Sequence, residues 1–217
     1  MAGEVTPPIF ESLVVGPLEV NCYLLADAAT REAFVVDPGG DADLILPRIE
    51  GLGLDVRYVI NTHGHFDHVG ANRAVVDATG AGLAIHAEDA GLLREAACQG
   101  RVFGVEAADS PEPDLLLDES TTLRAGSLTL EFLHTPGHTR GSLCLFLRER
   151  ALLLTGDTLF AGSVGRTDLP GGSYETLMSS IKEKILPLDD DVTVCPGHGP
   201  PSTVGRERTT NPFLADP

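Results

Sequence analysis

The chain is short of basic residues, paired cysteines and long apolar runs, and each shortage narrows what it can be. Lys and Arg number 15 against 32 Asp and Glu, a formal charge of -17 with a pI near 4.6. A phosphate backbone is gripped by clustered Lys and Arg, so nucleic acid is not an expected partner. A small anionic substrate stays possible, because a bound metal ion reverses the sign of the field inside a pocket. The four cysteines, Cys22, Cys98, Cys144 and Cys195, form no C-x-x-C pair. Set among apolar residues or beside helix ends, they read as small buried hydrophobes in a reducing compartment. No apolar run approaches the roughly 18 residues of a spanning helix. The opening MAGEVTPPIFESLVVG lacks a basic segment followed by an apolar one. The expectation is a cytoplasmic protein with no membrane partner.

What is present is an ordinary globular composition, 42% hydrophobic and 22% charged over 217 residues. β-rich runs at 9–15, 21–27, 32–37, 54–60 and 83–86 are separated by Gly, Pro, Asn and Asp. Helical patterns are predicted at 41–52, 68–78 and 87–99, and residues 100–120 read as a surface connection. The pattern then restarts, with strands predicted at 127–135, 141–149 and 151–157. A Gly-rich stretch follows at 160–173, then a helix at 174–188, a last strand at 192–199 and a tail with a short helix. One domain over 1–217 with two similar halves, approximately 1–120 and 121–217, is expected, as two packed sheets with helices outside.

Seven histidines occur in the chain, and three of them share the six residues 63–68 with an aspartate. His63 and His65 are two apart, which at a strand end points both imidazoles the same way. Gly64 between them removes bulk. Asp67 and His68 begin the predicted helix, where a carboxylate is electrostatically favoured. Imidazole plus carboxylate without thiolate suits zinc, iron or manganese, and four donors exceed what one tetrahedral ion needs from a single segment. Further donors stand at other strand ends: His138 in TPGHT, Asp157 in LLLTGDT and His198 in VCPGHGP.

H-x-H-x-D-H at 63–68, followed in order by His138, Asp157 and His198, resembles the metallo-β-lactamase superfamily. The resemblance implies an α/β fold, the αβ/βα sandwich of two mixed sheets with outer helices, with metals at one edge of the sheets. It also implies two divalent ions, zinc first, with iron or manganese as alternatives. One would be held by His63, His65 and His138, the other by Asp67, His68 and His198, with Asp157 between them. Within the superfamily, DPGG, TPGHT, GDTLF and GRTDLPGG look most like the glyoxalase II (hydroxyacylglutathione hydrolase) branch. The ending PGHGP…GRERTTNPFL is similar to its short bacterial relatives, which lack the C-terminal helical domain that helps to bind glutathione.

The expected function is hydrolysis of a small-molecule thioester, S-acyl glutathione or a relative, by a monomer or homodimer. Asp67 and Asp157 are the expected catalytic carboxylates, Asp67 orienting the nucleophile and taking its proton. Arg166 is the candidate for substrate binding, with an ion pair to Asp168 as its competing role. The alternatives are a mononuclear iron persulfide dioxygenase, using His63, His138 and Asp157, and a non-enzymatic metal-binding relative. Asp37 could hydrogen-bond a ligand histidine or simply form the DPGG turn. His86 and His134 read as structural, with His134 a candidate partner of a ligand. Leu159 and Phe160 are read as core, or else as pocket wall.

Overall fold

A computed structural model describes residues 7–214; the first six residues and the last three, on which the reading of the N-terminus and part of the tail fall, lie outside them. Two six-stranded mixed sheets face each other. The first runs in order β1 (Ile9–Val15), β2 (Val20–Ala26), β3 (Glu32–Val36), β4 (Asp55–Ile60), β5 (Gly82–His86) and β6 (Leu115–Leu117). β1 to β3 are antiparallel neighbours, and β3 to β6 are parallel. The second holds β7 (Thr122–Ala125), β8 (Leu128–His134), β9 (Leu143–Leu147) and β10 (Leu152–Gly156). After a small hairpin, β11 (Leu159–Phe160) with β12 (Ser163–Val164), it is completed by β13 (Thr193–Pro196) and β14 (Ser202–Thr203), in order β14-β13-β10-β9-β8-β7.

Strand alternation explains how both faces of each sheet are buried. On β2, Tyr23 and Leu25 point between the sheets while Cys22 and Leu24 point to the outer helices. On β9, Leu143, Leu145 and Leu147 point inward while Cys144 and Phe146 face the helical layer of the second half. Helices α1 (Ala42–Leu52) and α3 (Asn72–Thr79) cover the first sheet through Ile45, Ile49 and Val75. α5 (Tyr174–Ser180) and the wider turn at Ile181–Ile185 cover the second through Leu177, Ile181 and Ile185. A helix–sheet–sheet–helix sandwich results, as expected. Among the described residues no helix is long and apolar enough to cross a membrane.

Several local expectations are corrected. The helix predicted at 68–78 begins earlier and breaks, as α2 (Phe66–Val69) and α3. Gly70 passes so close to the Gly39 carbonyl that a Cβ would lie 2.4 Å from it, and Ala71 donates its N–H to Pro38. The segment predicted as helix 87–99 is a 3-10 stretch, Ala87–Glu95, followed by α4 (Ala96–Val102). The surface connection at 100–120 contains the edge strand β6, and the Gly-rich stretch contains the β11–β12 hairpin. The tail helix is α6 (Val204–Thr210). All four cysteines are free, but Cys98 is exposed on α4 rather than buried.

Candidate metal centre

β4 delivers the chain into His63, and α2 starts directly after His65, so Asp67 sits in the first turn and His68 in the last. His138 lies in the turn between β8 and β9, Asp157 directly after β10, and His198 two residues after β13. Strand ends from both sheets thus bring the seven residues to one edge of the sandwich. His63, His65 and His138 form one group of donor atoms, Asp67, His68 and His198 another, and His63, His68 and Asp157 a third, each within 4.8 Å.

The donor atoms of these groups lie within about hydrogen-bonding distance of one another. His63 Nε2 lies 3.2 Å from His138 Nε2, and His65 Nδ1 lies 2.9 Å from the same atom. His68 Nε2 and His198 Nε2 are 3.3 Å apart. Asp157 is between the two sets, with Oδ1 3.4 Å from His68 Nε2 and Oδ2 3.6 Å from both His138 Nε2 and His198 Nε2. Asp67 Oδ2 is 3.4 Å from His198 Nε2.

Atoms on the far side of each ring determine which nitrogen carries the proton. Backbone carbonyls only accept, so His138 Nδ1–H donates to Arg166 O at 2.8 Å and His198 Nδ1–H to Leu18 O at 2.9 Å. His68 Nδ1–H donates to Asp37 Oδ2 at 3.0 Å. Thr62 gives its hydroxyl proton to the same oxygen at 2.6 Å, and so accepts from His63 Nδ1–H at 3.1 Å. In their neutral forms these four imidazoles turn the Nε2 lone pair inward, where unshared lone pairs at 3.2–3.3 Å, His63 on His138 and His68 on His198, repel.

The electrostatics lead the same way. Burial, then the neighbouring His68 and His138, push the His63 pKa well below its ordinary value. His65 is lowered to about 4 by burial and His138. Burial alone would lower His68, but Asp157, Asp67 and Asp37 outweigh it and raise it well above the ordinary value. Burial would raise Asp157, and His68, His138 and His198 instead hold it well below the carboxylate range. A positive charge is favoured between these carboxylates, and Asp157 Oδ1 is buried without a hydrogen bond. Five imidazole nitrogens and two carboxylates, one of them with an orphaned oxygen, fit two borderline divalent cations. The approach is tight enough to exclude a side chain at position 197: a Cβ on Gly197 would lie 2.3 Å from Asp157 Oδ1 and 2.7 Å from His68 Cε1.

Asp37 thus takes the ligand-supporting position, and also accepts Thr62 N–H at 2.8 Å. His134 does not reach a ligand; its ring stacks on His86 at 4.2 Å and its Nε2 meets Arg140 O at 2.9 Å. Leu159 is fully buried core, whereas Phe160 is half-buried with its ring 6.4 Å from that of His198. Arg166 lines the cavity beside the centre and gives its guanidinium to Asp168 through two contacts of 2.8 Å. A residue missed in the sequence is Asp89, 1% exposed. Its carboxylate accepts Gly64 N–H at 3.0 Å, Gly141 N–H at 2.7 Å and the Thr139 hydroxyl at 2.6 Å. It therefore ties the His63–His65 loop to the His138 loop. The available signal was spacing: Asp89 falls on the same buried stripe as Leu93 and Ala96.

A family model described as the metallo-beta-lactamase superfamily matches residues 15–198. "Hydroxyacylglutathione hydrolase GloC" of Haemophilus influenzae is 39% identical, over 94% of this chain and 97% of that protein. "Persulfide dioxygenase ETHE1, mitochondrial" of Homo sapiens is 36% identical, over 90% of this chain and 72% of its own length. Among solved structures, the BLEG-1 B3 metallo-beta-lactamase superposes with a TM-score of 0.90 at 37% identity, covering 96% of this chain and all of its own. TTHA1623 in a di-iron-bound form gives 0.86 at 36%, covering 94% and 100%.

Proposed function

The chain belongs to the metallo-beta-lactamase superfamily, and on that premise we propose that it is a glyoxalase II-like thioesterase with a binuclear metal centre. The observation that carries this reading is the position of Asp157, whose two oxygens face histidines of both groups. The first ion would be held by His63, His65 and His138, the second by Asp67, His68 and His198, with Asp157 shared. Bound there, the ions would supply a water of lowered pKa and a Lewis acid for the carbonyl oxygen.

The remaining work falls to the chain. Asp67 is the proton acceptor; it faces the cavity, and its neighbour His198 is fixed by Leu18 O. Asp37, Thr62 and the Arg166 carbonyl hold the imidazoles in the tautomer that leaves Nε2 free. A leaving thiol with a pKa of about 8.5 departs as thiolate without a general acid, and no further acid is needed on the wall. The cavity, about 530 Å³, is walled on one side of the donor atoms by Leu92, Phe103 and Leu169.

Elemental analysis of purified protein, with thiol release from S-lactoylglutathione and from an aryl thioester, tests the reading. Two equivalents of metal and thiol release are expected, and Asp157→Ala should lose both while keeping its far-UV spectrum. Wild-type turnover in that variant would sink the model. The 36% identity to a persulfide dioxygenase favours one second reading, mononuclear iron with His63, His138 and Asp157 as the triad. Oxygen uptake with glutathione persulfide and one iron per chain would establish that reading instead. The donors Asp67, His68 and His198, clustered as tightly as the first group, favour the hydrolase.

A further inference from the structure

The cavity beside the metal centre has a polar floor and apolar walls. His65, Asp67, His138, Asp157 and His198 form the floor. The walls come from four separate places: Leu18 in the β1–β2 turn, Phe66 on α2, Leu92 with Val102 and Phe103 around α4, and Leu169–Pro170 after the hairpin. Val102 is 78% exposed, Phe103 47% and Leu18 41%, so three of the exposed large apolar side chains converge on this one rim. They are organised, since the Phe103 ring stacks on Phe66 at 5.4 Å with an interplanar angle of 22°. Exposed apolar surface gathered around a concave site marks a binding surface.

Charge on the same walls discriminates between the two halves of a thioester. Among the described residues, Arg166 is the one Lys or Arg side chain lining the cavity; it is paired at two points with Asp168, and Glu95 adds an exposed carboxylate. Nothing there rewards a carrier bearing phosphates or several carboxylates. An apolar acyl chain, by contrast, is removed from water against Leu92, Val102, Phe103 and Leu169.

We propose that this cavity is an acyl subsite that selects thioesters of medium-chain or aryl carboxylic acids over small polar hydroxyacyl groups. The inference rests on the thioesterase reading for the reaction, but the selectivity of the wall is measurable without turnover. Each buried methylene is worth about 0.8 kcal/mol, or about fourfold in an equilibrium constant.

The experiment uses the metal-loaded protein and two matched series on one carrier. Calorimetric binding of the hydrolysis-inert thioethers S-methyl-, S-butyl-, S-hexyl- and S-octylglutathione should show Kd falling about fourfold per added methylene. Thiol release from the S-acetyl, S-butanoyl, S-hexanoyl, S-octanoyl and S-lactoyl thioesters should show kcat/KM rising with the same slope. Phe103→Ala and Val102→Ser should each lower the ratio of octyl to methyl affinity. Cleavage of every thioester with a flat slope, or with S-lactoyl preferred, would overturn the acyl subsite and leave the thioesterase standing. A clear slope in thioether binding with no thioester cleaved would support the apolar ligand class and remove the thioesterase. A chain-length slope unchanged in both variants would place the selectivity elsewhere and overturn the assignment to this wall.

Discussion

The Thr139 hydroxyl lies 2.6 Å from Asp89 Oδ2, the oxygen that also accepts Gly64 N–H. A buried carboxylate with no cation beside it is costly unless donors surround it. Here the donors come from the loops on either side of the metal centre. The His63–His65 loop and the His138 loop are therefore held against each other from outside the donor set. Asp89→Asn should weaken metal binding by about 10–100-fold, as loss of an outer partner does. The deficit should fall on one of two equivalents. Chelator competition with elemental analysis reads this directly, and full retention of both metals would show that Asp89 only packs.

Gly197 tests how closely the last strand must approach. A Cβ there meets both Asp157 Oδ1 and His68 Cε1, so Gly197→Ala must push one of them aside. A misplacement of about 1 Å in a catalytic constellation costs about 100-fold in rate. We expect that loss in kcat together with reduced metal content; the same Cβ lies 3.1 Å from the Gly156 carbonyl carbon at the end of β10, so the far-UV spectrum checks that the strand pair is kept. Wild-type kinetics in Gly197→Ala would mean that Asp157 has slack in its position.

The strands and the donors were legible in the sequence because each is a local pattern. Alternation marks β1 and β8, continuous apolar runs mark β2 and β9, and His63 to His68 are contiguous. The support of the centre was not legible in the same way. Asp89 acts on residues 25 and 50 positions away. His198 is fixed by a carbonyl 180 positions away. A backbone acceptor such as Leu18 O leaves no trace in residue type. Asp37 was visible only as one of two roles, since DPGG is also a common turn. β6 is three residues long and made of leucines inside an acidic, Pro-rich stretch, so no periodicity marked it.

His86 and His134 join the two sheets by a stacked ring pair. Burial, then His134, lowers the His86 pKa, against the opposing pull of Asp89, Glu88 and Asp118. A histidine lowered in the folded state binds fewer protons than the unfolded chain below about pH 6.5. Stability from this pair is therefore complete above that pH and declines as pH falls through the folded value. Urea midpoints should drop between pH 7.5 and 5.5, and His86→Phe, which keeps a ring for stacking, should reduce the drop. An identical pH slope in the variant would remove His86 from the account.

Asp27 fastens the sheets at the end opposite the metal centre. Its Oδ1 accepts Ala29 N–H at 2.9 Å and Thr30 N–H at 2.8 Å, closing the β2–β3 turn. Its Oδ2 accepts Ser127 N–H at 3.0 Å and the Ser127 hydroxyl, from the β7–β8 turn of the other sheet. The Ser127 hydroxyl, then Thr30 and Ser127 N–H, hold its pKa well below the carboxylate range. Because the folded value is depressed, the stability it contributes is present above the unfolded value of about 3.9 and is lost as pH falls below it. Asp27→Ala removes one acceptor from several donors and should cost on the order of 1–3 kcal/mol at neutral pH. The gap between wild type and variant in urea midpoint should shrink as pH drops from 5 toward 3. Metal content and turnover at pH 7.5 should be unchanged, because no donor to the metals touches this turn. A gap that stays constant with pH would assign the loss to packing alone.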